Sequence, residues 1–180
     1  MLGFLIAGAA LPLAFTTQAQ SVAPPPAGLH AIEGCWQGNG TVMGKPVTLT
    51  LHAAPAALGA MIAVDTTSVA ATDATDRYAA HLVFGWLPAK PGGPAGALTG
   101  YWADSFGGAF AAPGEGEAEA QGFEMRYRFG EDIFVNRWRR MAQTLDWTII
   151  ARDTAGKEQA FAAYRLKAAP CPAAPPARHR

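Results

Sequence analysis

The chain has 180 residues, and its 14 basic and 14 acidic side chains give a formal net charge of zero. Hydrophobic residues make up 50% and charged residues only 16%, which excludes a disordered chain and a nucleic-acid module working through phosphate contacts. The 20 Gly, 14 Pro and 5 Trp argue against long uninterrupted helices and favour one turn-rich β domain.

No charged side chain precedes Glu33, and Met1 to Phe15 is almost wholly apolar before Thr16-Thr17-Gln18-Ala19-Gln20. The run has signal-peptide length, shorter than the roughly 20 residues of a spanning helix, and Thr17 and Ala19 are the small residues that signal peptidase reads. Residues 1–19 are therefore expected to be a signal peptide, and the protein to be periplasmic or secreted with no membrane span after cleavage. No Lys or Arg precedes the apolar run, so an uncleaved anchor or a buried apolar strand stays as the alternative. Pro24-Pro25-Pro26 marks residues 20–31 as a stiff linker, and Pro170, Pro172, Pro175 and Pro176 mark residues 169–180 as a Pro-rich tail. Residues 32–168 are expected to fold, enough to bury about two-thirds of the surface of the unfolded chain.

Alternation of apolar and polar residues between Gly, Pro or Asx turns predicts strands at 34–43, 46–53, 60–69, 78–86, 97–105, 108–119, 122–129, 132–141, 144–153 and 158–168. Ten strands with short connections predict an antiparallel up-and-down meander, and closure into a barrel removes the exposed edges of so wide a sheet. A two-residue turn at Gly130-Glu131 sets Tyr127 opposite Phe134, Met125 opposite Asn136 and Phe123 opposite Trp138. Turns at Ala142-Gln143 and Ala155-Gly156 continue the register, with Trp138 opposite Trp147, Trp147 opposite Tyr164, Ile149 opposite Ala162 and Ala151 opposite Ala160. Rings and small residues then share one inner wall, which leaves either a ligand-holding interior or an ordinary aromatic core.

Cys35 stands where the first strand begins and Cys171 just past the last one. In an exported protein the two can form a disulfide, and the alternative is two unpaired thiols. Their spacing carries no four-ligand metal logic.

The opening Gly34-Cys35-Trp36-Gln37-Gly38-Asn39-Gly40, a G-x-W-x-G-x-G pattern, resembles the first strand of calycin-type β-barrels such as lipocalins, fatty-acid-binding proteins and nitrobindin-like domains. Gly100-Tyr101-Trp102-Ala103-Asp104-Ser105-Phe106-Gly107, with Gly114 and Asp146-Trp147-Thr148, looks like a bacterial calycin-like family of unknown function. The resemblance spans about Ile32 to Lys167 and implies a ten-stranded antiparallel barrel with an apolar interior and no established reaction. Gly38 and Gly40 fit tight curvature or a bulge, and Trp36 fits a plug at the narrow end. Nitrobindin-like members hold heme through a His near the C-terminal end of the barrel, but the last strand here, 158–168, has no His. His52 alternates with an apolar face and should point outward, whereas His81 lies in a run apolar on both faces and is expected to be buried and hydrogen-bonded. No cofactor is therefore expected.

Catalytic candidates are sparse: Asp104, Ser105 and His81 lack a nucleophile elbow, and Asp104-Ser105 before Phe106-Gly107-Gly108 reads as a capped turn. Glu115, Glu117 and Glu119 alternate on one face and read as a solvated edge rather than a calcium site. Ten of the 14 basic residues are Arg, and Arg126, Arg128, Arg137, Arg139 and Arg140 share one hairpin. The first four face outward in the predicted register, while Arg140 has the opposite parity and is expected at the barrel mouth, holding an anionic head group.

The function expected is an exported barrel that binds a small hydrophobic or amphipathic molecule without catalysis. Its wall would comprise Trp86, Tyr127, Phe134, Trp138, Trp147 and Tyr164, with Asn136 and Arg140 as polar contacts. The rivals are a filled barrel that docks a partner through its charged surface, and a small hydrolase or isomerase.

Overall fold

A computed structural model describes residues 23–87 and 96–172; the expected signal peptide and the end of the tail lie outside the described residues. Ten strands follow in chain order: β1 (Gly34–Val42), β2 (Lys45–Ala56), β3 (Met61–Ala70), β4 (Asp73–Trp86), β5 (Ala97–Asp104), β6 (Ala112–Glu119), β7 (Gly122–Phe129), β8 (Asp132–Met141), β9 (Thr144–Arg152) and β10 (Glu158–Ala169). Each pairs antiparallel with its sequence neighbours and β1 also pairs with β10, so the sheet closes into an up-and-down barrel of calycin-like architecture. Among the described residues, no helix is long and apolar enough to cross a membrane.

The turns at Gly130-Glu131 and Ala142-Gln143 hold the predicted register, whereas the predicted two-residue turn at Ala155-Gly156 is part of a longer connection between the paired Arg152 and Glu158. Gly130 takes a φ of 61° between the paired Phe129 and Asp132, and Tyr127 faces Phe134, Phe123 faces Trp138, Trp138 faces Trp147 and Trp147 faces Tyr164. One strand departs from it. A register shift between Ala160 and Ala162 pairs Ala160 with Ile150 instead of Ala151, so Ala160 is exposed and Phe161 turns inward. A bulge inserts one residue and swaps the faces on one side of it.

Gly38 and Gly40 mark close approach rather than a bulge, because the β1–β10 register is unbroken there. A Cβ on Gly40 would overlap the Ala163 carbonyl and the Tyr164 ring, so the bare backbone is what lets that ring lie flat across the inner wall.

The ends of the barrel differ. At one, the segment read as linker is packed from Ala27 onward: α1 (Ala27–His30) places Leu29 and Ile32 in the core, each fully buried. Trp36 plugs this end, donating its indole N–H to the Ile32 carbonyl at 2.8 Å. Cys35 and Cys171 form a disulfide with Cα atoms 5.1 Å apart, which ties the start of the tail to β1. At the other end, β6 starts later than expected because Gly108–Phe110 forms a single 3-10 turn inside the β5–β6 connection.

Candidate ligand cavity

The interior is solid in one half and open in the other. At the plugged end the rings of Phe123, Trp138 and Trp147 stack in succession, with centroids 5.6 and 4.2 Å apart and planes 10° and 13° apart. Phe84 meets Phe123 and Trp138 edge-on. This half is packed by its own side chains.

Beyond Trp147 the barrel encloses a cavity of about 650 Å³, within the range that holds a small organic ligand. The space exists because the two walls are unequal. Short inner residues on β1 to β3, namely Val42, Val47, Ser68 and Ala70, face Phe129, Phe134, Trp147, Phe161 and Tyr164 on β7 to β10, so the rings have no large partners to close against. Phe134 holds Phe129 and Phe161 edge-to-face at 5.5 and 5.2 Å. Phe106 and Phe110, in the β5–β6 connection, line the mouth, with 69% and 49% of their surface exposed.

Polar groups enter the cavity from several strands. Asp104, at the end of β5, accepts hydrogen bonds from Tyr78 Oη and Trp102 Nε1, both at 3.1 Å, and from the Phe106 N–H at 2.9 Å. Burial and the Asp104 charge push the Tyr78 phenol far above its ordinary value, so it stays a donor. Lys45 and Asp76 sit at the rim 4.0 Å apart, and Asp132 follows the β7–β8 turn. Asn136 accepts from Trp147 Nε1 at 3.0 Å, fixing the ring of the cavity floor.

Of the residues expected to line a ligand, Phe134, Asn136, Trp147 and Tyr164 do line the cavity. Burial pushes the Tyr164 phenol up to about 12. Trp138 lies one layer deeper, fully buried beneath Trp147. Tyr127 is also outside the lining, packed edge-on to Trp102 and over Gly114. Trp86 is at the plugged end, donating to the Ala23 carbonyl at 2.8 Å.

Arg140 is corrected most. It is not at the mouth: near the end of β8, its guanidinium lies 4.4 Å over the Trp36 ring and donates to the Ala142 carbonyl. Inward parity told the face and not the depth along the strand. Asp104, Tyr78, Phe106, Phe110 and Phe161 were missed as lining residues. Two aromatics in a glycine-rich connection, Phe106 and Phe110, were the available signal.

His81 is also corrected: its imidazole is half exposed on the outer face, 2.7 Å from Asp65, because its neighbours Leu82 and Phe84 take the inner positions. His52 points outward as expected. Asp104 faces the cavity while His81 and Ser105 do not, so these residues do not form one catalytic group. Of the outward arginines, Arg126 and Arg137 are held by Glu124 and Arg139 by Glu119, and on β10 Arg165 is held by Asp146.

No protein-family model and no curated protein matches the chain. Among solved structures, it is similar to an S-type phycobiliprotein lyase from Guillardia theta, with a TM-score of 0.53 and 12% identity over 80% of this chain and 91% of the other. At that identity the likeness is one of fold, a calycin-like barrel.

Proposed function

We propose that the protein is an exported carrier that binds a small hydrophobic or amphipathic molecule inside the open half of its barrel, in a bacterial calycin-like family without an established reaction. The observation that carries this reading is the aromatic cavity of about 650 Å³ above a solid floor. A barrel serving only as a docking module would fill that space, since an unfilled apolar volume costs stability. Binding rather than catalysis is favoured because Asp104, its chief polar group, is engaged by three donors, and the candidates His81 and Ser105 are not among the residues that line the cavity. Export is supported by the apolar N-terminus and by the Cys35–Cys171 bond, a pairing usual in oxidising compartments.

Native mass spectrometry on protein exported to a bacterial periplasm, with organic extraction of the same sample, tests the reading. A retained apolar molecule that raises the melting temperature is the expected result. An empty barrel whose melting is unmoved by a panel of hydrophobic ligands would sink the carrier function.

A further inference from the structure

Resting on the cavity reading, we infer that the ligand carries a cationic head: the site selects an organic cation with an apolar body and rejects the matching carboxylate. The ionisable groups of the cavity wall and rim are strongly unequal. Against the carboxylates of Asp76, Asp104 and Asp132 stands Lys45 alone among the basic residues of the lining, and it is an exposed rim residue already beside Asp76. Asp104 and Asp132 enter no salt bridge among the described residues.

The geometry around Asp104 is that of a receptor for positive charge. Its two oxygens offer about four acceptor positions, of which Tyr78, Trp102 and the Phe106 N–H use three. The Tyr78 ring packs at 5.5 Å from Phe106, and Phe106 and Phe110 line the same cavity, so aromatic rings near the carboxylate add attraction for a cation through their quadrupoles wherever a face is presented to it. Ser68, 5% exposed, faces the same cavity with its hydroxyl free of any side-chain hydrogen bond among the described residues, a further polar contact for an N–H group.

Desolvation decides the sign. An apolar body filling the cavity strips water from Asp104 and Asp132, and an uncompensated buried carboxylate is costly. A cationic head restores the lost interaction, a neutral head restores part of it, and an anionic head adds like-charge repulsion. Among the described residues no arginine lines the cavity: Arg126 and Arg137 pair with Glu124 on the outer face, and Arg140 lies at the plugged end.

Titration calorimetry at neutral pH and low salt with decylammonium, decanol and decanoate, the two ions below their micelle concentrations and the alcohol below its solubility limit, separates the possibilities. The cation should bind tightest, about tenfold or more above the carboxylate, with the alcohol between. Asp104→Asn and, separately, Asp132→Asn should each narrow that ratio, and circular dichroism melting reports that each variant is folded. Decanoate binding as tightly as the cation, or a ratio unchanged in both variants, overturns the inference while decanol binding keeps the cavity reading. No binding by any of the three overturns both.

Discussion

Trp138 and Trp147 stack face to face with centroids 4.2 Å apart, and the boundary between the solid and open halves of the barrel runs through that stack. Trp147 presents its outer face to the cavity, while Trp138 has Phe123 on its other side. Adjacent positions on paired strands therefore have separable consequences. Trp138→Ala should cost about 3–5 kcal/mol of stability, as large aromatic truncations in packed cores do, and a urea denaturation curve reads it. Trp147→Ala should in addition weaken ligand binding, because it removes the floor and frees the Asn136 acceptor.

Phe106 and Phe110 give the opposite pattern. Their exposure means little burial is lost on folding if they are replaced, so the double change to Ser should move stability by less than about 1 kcal/mol. Ligand release should become faster, since the rings cover the mouth. Stopped-flow displacement alongside thermal melting checks both halves of this expectation.

The Cys35–Cys171 bond closes a long stretch of chain, with a sequence separation of 136. Reduction, or the paired change to Ser, should lower stability by about 2–5 kcal/mol without unfolding the barrel, whose core does not depend on it. Circular dichroism melts with and without reductant, with a thiol count under denaturing conditions, provide the measurement.

Acid should weaken the outer surface of β7 to β10. Burial acts to raise the Glu124 carboxyl, but the hydrogen bonds and charges of Arg137 and Arg126 outweigh it and hold it below its ordinary 4.5. The hydrogen bond from Arg165 likewise holds Asp146 below its ordinary 3.8. Because both folded values are depressed, their contribution is present in full above the unfolded values and is lost as pH falls through the folded ones. The melting temperature should decline below about pH 4.5, and Glu124→Gln should flatten that decline.

Alkali acts through the inner wall. Burial raises the phenol of Tyr164 to about 12 from its ordinary 10, and raises those of Tyr127 and Tyr78 as well. A raised folded value contributes stability that is whole below the unfolded value and lost as pH rises through the folded one. Denaturation midpoints should therefore fall above about pH 10, and Tyr164→Phe should lessen the fall. Midpoints that hold level to pH 12 would contradict the burial of these three rings.

Much of this molecule was determined by local sequence. Side chains alternate faces with a period of two, and Gly130 permits a two-residue turn, so the pairings of Tyr127 with Phe134 and of Trp138 with Trp147 follow without any tertiary information. The outward direction of Arg126 and Arg137 follows from the same parity.

Tertiary structure alone decided depth along the strands and the volume enclosed. Parity put Arg140 and Phe134 on the inner face together, but the two are six residues apart on β8, and one lies at the plug while the other lines the cavity. The bulge at Phe161 gave no local warning and exchanged an alanine for a ring on the cavity wall. Asp104 reads as a turn residue along the chain, and it does cap the Phe106 N–H; only the barrel brings Tyr78 from β4 to bind it and points it at a space that the opposite wall leaves unfilled. A strand's pattern encodes which side is buried, whereas the volume enclosed depends on what every other strand contributes at that level.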